Sequence, residues 1–333
     1  VAQQFERALK VAATATLSSA APYSVLKTAI LRNASLIVLV YHTLSGNDDD
    51  IDAWTAVRVE EFRRQVAFLR EQFDIVSLTE GLTTSARPAR RPRLAITFDD
   101  GEAGLHRHLL GIVKEFALPV TVYIATGQIA HGKPYWFDRV MNAFQSSSPF
   151  VVDLTHLGLP AWRFDGAGGY ATWLKLSDVL ESLKSLDPMK RETVTNAIEA
   201  QAPSDHRRRF RPLRPMTIDE LKEVARCPGV TIGAHSHCHN LLDQVPIDQA
   251  RESMLKSKLL LEEWTGQPVG HFAYPNGSWN AELEATAREV GFNSTVILDQ
   301  RLHSDRDQTF GVPRIQIGRY DALSRFKLRL LGL

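Results

Sequence analysis

Apolar and β-branched runs, each the length of a strand, alternate with helical patterns along this chain, and that rhythm constrains its fold more than any other feature. Leu36 to Tyr41 is the first run. A helix follows, with Phe62, Val66, Leu69 and Phe73 on one face. Next come the short segment Ile75 to Leu78, the strand Leu94 to Phe98, a helix marked by Leu109, Ile112, Val113 and Phe116, and the strand Val120 to Ala125. Downstream the pattern resumes with Val230 to Ala234, a helix over Asp248 to Trp264 stopped near Gly266, and the strand Gly270 to Tyr274. Asn280 then caps a helix that ends at Gly291, before the strands Phe292 to Ile297 and Arg314 to Ile317. Six or seven strands in βα alternation predict an α/β protein with a closed or nearly closed barrel, whose chemistry sits on the loops at the strand C-termini.

Between about Ile129 and Pro215 the rhythm breaks. Gly and aromatic residues cluster at Trp162 to Trp173, Leu176, Val179, Leu180 and Leu183 mark a helix, and Asp187 with Pro188 starts another. This stretch, 129–215, reads as a helical and loop insertion or lid. It ends in Arg207, Arg208, Arg209, Arg211 and Arg214, which either touch an anionic glycan or lipid headgroup or form a solvated loop. Thr217 and Glu220 follow at capping-box spacing. The resulting plan is an N-terminal helical extension over 1–35, a barrel domain over 36–320 and a C-terminal tail over 321–333.

Composition excludes more than it selects. The 333 residues are 44% hydrophobic, and 39 basic against 38 acidic side chains leave a net charge of +1, so nothing attracts nucleic acid or an anionic membrane at large. With only Cys227 and Cys238, a disulfide framework is excluded. Leu36 to Tyr41, the longest apolar run near the start, is too short to cross a bilayer. Val1 to Ser35 lacks a clean signal pattern, which leaves room for a leader removed before this numbering. One count stands out: three of the 11 histidines, His235, His237 and His239, fall within five residues, where chance would put about 0.17.

Three polar clusters lie at strand ends. In the first, Asp99 and Asp100 close a strand and Gly101 permits a turn that brings both carboxylates to one site, one free as a base and one as a metal ligand. A helix N-cap with a surface acid is the alternative. In the second, His235 and His239 are four apart, so one helical turn or a tight loop aims both imidazoles at a common ion while His237 points away. Two imidazoles and a carboxylate leave coordination positions open, the pattern of a catalytic rather than a structural site. Cys238 reads as a packed core residue, with a fourth-ligand role as the alternative. The third cluster, Phe272 to Gly277, ends a strand in Pro and Gly and offers backbone N–H groups for a developing oxyanion or forms an ordinary turn.

Ile96 to Gly101 followed far downstream by His235 and His239 resembles the first two motifs of the polysaccharide deacetylase family, the NodB-homology domain of carbohydrate esterase family 4. Val40 to His42, Phe272 to Gly277 and Pro313 to Ile315 are similar to members with a Phe-Ala-Tyr-Pro motif. The resemblance implies a distorted (β/α)7-type barrel and a divalent metal, often zinc, held by Asp100, His235 and His239. It implies Asp99 as general base, the Asn276 amide as oxyanion donor, and substrate contacts at Tyr274 and Pro275. His42, at the C-terminus of the first strand, faces the same barrel end and is a candidate substrate contact, with a hydrogen-bonded structural role as the alternative. The reaction implied is hydrolysis of an N-acetyl group on an N-acetylhexosamine glycan to acetate and a free amine. Members act on exported polysaccharides and peptidoglycan, which implies an extracytoplasmic or membrane-associated place.

The chain departs from the family in two respects. Ala273 stands where many members carry an arginine that orients the base, and Arg314 is the candidate replacement, with a structural ion pair as the alternative. The late histidine that serves members as general acid has only His303 as counterpart, outside an apolar strand context. Two other functions keep the same residues: hydrolysis of a non-carbohydrate amide, and glycan binding by a degenerate site.

Overall fold

The computed structural model describes residues 13–31, 34–49, 51–83, 91–144, 148–166, 170–203, 213–304 and 308–333. Strands in chain order are β1 (Ile37–Tyr41), β2 (Thr43–Ser45), β3 (Ala56–Arg58), β4 (Asp74–Ile75), β5 (Arg93–Phe98), β6 (Val120–Ile124), β7 (Phe150–Asp153), β8 (Ala161–Phe164), β9 (Val230–Ala234), β10 (His271–Ala273), β11 (Ser294–Leu298) and β12 (Val312–Gln316). Among the described residues seven of these close a parallel barrel in the order β1-β12-β11-β10-β9-β6-β5, and β5 returns to β1. Leu39 pairs with Ile96 on one side and Ile315 on the other. The chain thus forms the (β/α)7-type barrel expected from its alternation. The short β4 pairs with the start of β5.

Every residue of β1 and β6 is buried, because helices cover the outer face while side chains fill the interior. Strand periodicity sorts the residues. Val38, Ala95, Ala273, Val296 and Val312 pack together inside, whereas Leu39, Ile96, Phe272 and Ile315 join the layer that meets the helices. The helix Val59–Gln72 contributes Phe62, Val66 and Leu69 to that layer. Thr217 and Glu220 form the expected capping box, and Asn280 accepts from the Leu283 amide at the head of Ala281–Val290. Each such cap is worth about 1 kcal/mol.

Both ends of the described residues belong to the packing. Tyr23 of the helix Ala20–Ile30 meets Phe68 edge-on at 5.7 Å. Residues 321–333, expected as a tail, contain the helix Leu323–Arg329, whose Phe326 is fully buried against Phe68.

The insertion holds the helices Trp136–Ala143, Tyr170–Lys184 and Pro188–Gln201 and the antiparallel hairpin β7–β8, which no sequence pattern had marked. Asp187 caps the last helix through the Met189 and Lys190 amides, with Pro188 at its first position, as its sequence predicts. A second apolar cluster joins Val140, Phe144, Leu176, Val179 and Ile198 to Ile51 and Ala53 from the loop between β2 and β3 and to Ala56 at the start of β3. The insertion is therefore seated on the barrel rim. Its return is tied to the loop after β5: the Met216 amide donates to Gly101 O at 3.0 Å, and the Ala103 amide to Arg214 O at 2.8 Å. Arg207, Arg208, Arg209 and Arg211 lie outside the described residues. Arg214 pairs with Glu220.

Candidate metal centre and active-site pocket

β5 ends by delivering Asp99 and Asp100 to the rim, and the turn between them is forced. Asp100 sits at φ 73 and Gly101 at φ 78, a left-handed pair that L side chains avoid. A Cβ on Gly101 would also meet Ile124 at 2.7 Å. The Tyr135 hydroxyl donates to the Asp100 carbonyl and holds the strained turn in place.

After β9 the chain turns through Ser236 (φ 62) and His239 (φ 53), so the one-turn spacing of the two histidines is realised as a tight loop rather than a helix. Nε2 of His235 lies 3.5 Å and Nε2 of His239 3.1 Å from one Asp100 oxygen. One ligand atom from each of these residues falls within 4.8 Å of the others. Their chemistry fits a divalent ion. His235 Nδ1 contacts the Ala273 carbonyl at 2.7 Å; a carbonyl only accepts, so Nδ1 carries the proton and Nε2 presents its lone pair. The second Asp100 oxygen is buried without a partner. Burial raises the Asp100 pKa, but the two imidazoles outweigh it and hold the carboxyl well below its usual range.

Asp99 faces inward to Arg314. Two guanidinium nitrogens each reach a separate Asp99 oxygen at 2.7 Å, and Thr97 Oγ accepts a further bond at 3.1 Å. Arg314 stands on β12, two strands from β5, and reaches Asp99 across the barrel interior. Burial pushes Asp99 up, yet Arg314 brings it below the ordinary carboxylate value and so keeps it ionised.

Above these residues opens a pocket of about 360 Å³, the size of a small-ligand site. Asp99, Asp100, His235, His239 and His42 line it at the barrel end, and Trp136, Phe137, Trp173, Leu180 and Arg191 line it from the insertion. Trp54 stacks on Trp173 at 5.8 Å. His42 Nδ1 is buried without a partner. Asn276, at φ 55, also lines the pocket, and its side-chain oxygen accepts from Lys184 at 2.9 Å.

Other expected residues lie elsewhere. Tyr274 is fully buried with its ring edge-on to Phe272 on the helix-packed face, because strand alternation turns Ala273 inward and both neighbours outward. Pro275 is buried beneath the turn, and neither side chain lines the pocket. His303 bonds Ser35 and pairs with Leu36, at the opposite barrel end from the carboxylates. His237 points away, as expected, and ties its loop to Thr126 at 2.9 Å. Cys238 is exposed rather than packed.

Sequence reasoning overlooked two buried carboxyls behind the site, Glu102 and Asp138. Burial pushes Glu102 up to about 8 and Asp138 well above the usual carboxylate range, and the Asp100 charge adds to both rises. Adjacency of Glu102 to the Asp-Asp-Gly turn was the one available signal.

Residues 193–295, which include both histidines, match the family model described as polysaccharide deacetylase. No curated protein matches the chain. Among solved structures the fold is similar to Streptococcus pyogenes deacetylase PplD in complex with acetate, with a TM-score of 0.58 at 16% identity over 89% of this chain and 97% of that one. IcaB from Ammonifex degensii gives 0.56 at 17% identity, covering 90% and 97%. A de-N-acetylase from Aggregatibacter actinomycetemcomitans gives 0.54 at 13%, covering 88% and 99%. At these identities the likeness is one of fold. Residues 193–295 are thus similar to the polysaccharide deacetylase family model, and they lie within a barrel fold like that of these deacetylases.

Proposed function

We propose that this protein is a metal-dependent deacetylase that removes the N-acetyl group from an N-acetylhexosamine-containing glycan and releases acetate. The observation that carries the reading is the division of labour between adjacent carboxylates: Asp100 faces two imidazoles, and Asp99 faces Arg314. Asp100, His235 and His239 would hold the ion, and zinc suits two imidazoles and a carboxylate with positions left open. A divalent ion bound there supplies Lewis-acid polarisation of the carbonyl and a lowered pKa for attacking water.

The remaining chemistry belongs to side chains and backbone. Asp99 takes the proton of the attacking water as general base, and Arg314 fixes the carboxylate's direction. The Asn276 amide, in the turn after β10, donates to the oxyanion. When the C–N bond breaks, the departing amine needs a proton. His303 is at the far end of the barrel, so Asp99 returns the proton it has taken; beside Arg314 the protonated carboxyl is a strong donor. His42, on the pocket floor, is assigned to substrate contact. The aromatic faces of Trp54 and Trp173 suit the apolar C–H face of a sugar ring.

Acetate release from N-acetylglucosamine oligomers tests this reading. Turnover is expected to stop with chelator, to return with zinc, and to fall by about 10²-fold or more in Asp99→Asn. Unchanged turnover under both treatments would overturn it.

A further inference from the structure

We propose that the sugar taken by this pocket bears an oxyanionic substituent, a phosphate or a carboxylate, and that Arg191 receives it. The sugar's identity rests on the glycan reading above; the anion site rests on the environment of Arg191 alone. Arg191 stands on the helix Pro188–Gln201 with 6% of its surface exposed. It lines the active-site pocket and also the adjoining cleft beside Asp187 and Asn240.

Its partners are neutral. One guanidinium nitrogen donates to Asn240 Oδ1 at 3.2 Å, and the group lies over the Trp136 ring at 5.1 Å. The carboxylates whose charge it feels, Asp187 and Glu192, act from beyond ion-pair distance. Asp187 accepts the Met189 and Lys190 amides at the head of the helix, and Glu192 takes both oxygens to Arg139. Among the described residues no carboxylate comes within ion-pair distance of Arg191. Among the described residues the one lysine that lines the pocket, Lys184, pairs with Glu181, and Arg314, which lies outside the pocket lining, pairs with Asp99.

A guanidinium stays charged even when burial opposes it, and a buried charge without a counter-ion is costly. Its planar fork matches phosphate and carboxylate oxygens in pairs. An arginine without a contact ion pair at the wall of a substrate pocket is thus placed to take an anion that the ligand brings.

Intrinsic fluorescence reads the test directly, since Trp54, Trp136 and Trp173 line the pocket. Titrations compare N-acetylglucosamine, N-acetylglucosamine 1-phosphate, N-acetylmuramic acid and inorganic phosphate, on the protein as purified and after chelation. One or both anionic sugars are expected to bind at least about tenfold more tightly than the neutral sugar, and which one does separates phosphate from carboxylate. The preference should survive chelation, weaken with salt, and shrink to within about twofold in Arg191→Met. Equal binding of neutral and anionic sugars by the wild type, or an unchanged preference in Arg191→Met, would overturn the proposal. If Arg191→Met fails to fold, the wild-type comparison and Arg191→Gln still decide it. Acetate release from neutral oligomers reports separately on the deacetylase reading, so either idea can fall while the other stands.

Discussion

Arg314 and Asp99 meet inside the barrel as a two-pronged pair, each oxygen of the carboxylate taken by its own guanidinium nitrogen at 2.7 Å. The arginine is wholly excluded from solvent, and the strand that carries it lies two places away from the strand that delivers the aspartate. Ala273 stands where the resemblance implies an arginine beside the base, and Arg314 reaches Asp99 from another strand.

That geometry predicts a separation of effects. Arg314→Lys keeps the charge but loses the fork, so acetate release should fall by about 10²-fold while bound metal stays stoichiometric. Arg314→Ala leaves Asp99 buried and alone, and should cost about 3–5 kcal/mol of stability. Wild-type turnover in Arg314→Lys would remove the arginine from the mechanism.

Metal should be visible as stability. An ion held by Asp100, His235 and His239 binds only the folded chain, so zinc at a hundred times its Kd should add about 2.7 kcal/mol and raise Tm. Chelation should reverse the gain, and His239→Ala should lose it. A wild-type melting curve indifferent to zinc would contradict the ligand set.

His271 predicts the acid limb of the stability curve. Its ring is buried between Thr79 and Ser294 hydroxyls at 2.8 and 2.7 Å, and burial lowers its pKa from 6.5 to about 4. The folded protein keeps this histidine neutral, while the unfolded chain takes up a proton below 6.5. Stability from this group is therefore present in full above pH 6.5 and is lost as pH falls toward 4, by about 3 kcal/mol in all. Urea titrations across that range should show a flatter dependence in His271→Gln; the same slope in both proteins would refute the assignment.

The C-terminal helix should behave as core. Phe326→Ala is expected to cost about 3–5 kcal/mol, read as a lower urea midpoint with the slope unchanged. A change below about 0.5 kcal/mol would mark the segment as dispensable.

The barrel was legible because βα alternation and burial on both faces leave an apolar run at each strand, and β9 begins and ends where its pattern does. The convergence of Asp100, His235 and His239 was legible too, since they sit in short motifs at strand ends. What the motifs could not reveal is depth. Tyr274 shares a motif with Asn276, yet strand alternation turns its ring toward the helices and the turn alone faces the pocket. Leu302 and His303 occupy the expected order in the chain but fall at the wrong end of a strand. Arg191, Trp54 and Trp173 carry no motif. Their convergence comes from packing between the insertion and the loop after β2, which no local pattern encodes.

The two amide bonds that fasten the insertion's return to the Gly101 turn have a temporal consequence. They join segments separated in sequence by the entire insertion, and contacts of that kind form late because the intervening loop must close first. β6 and β9 pair across that same insertion, so the turn that carries Asp100 is set only as the barrel closes. Competence to hold a metal is therefore acquired near the end of folding, and zinc uptake during refolding should lag behind the recovery of secondary structure.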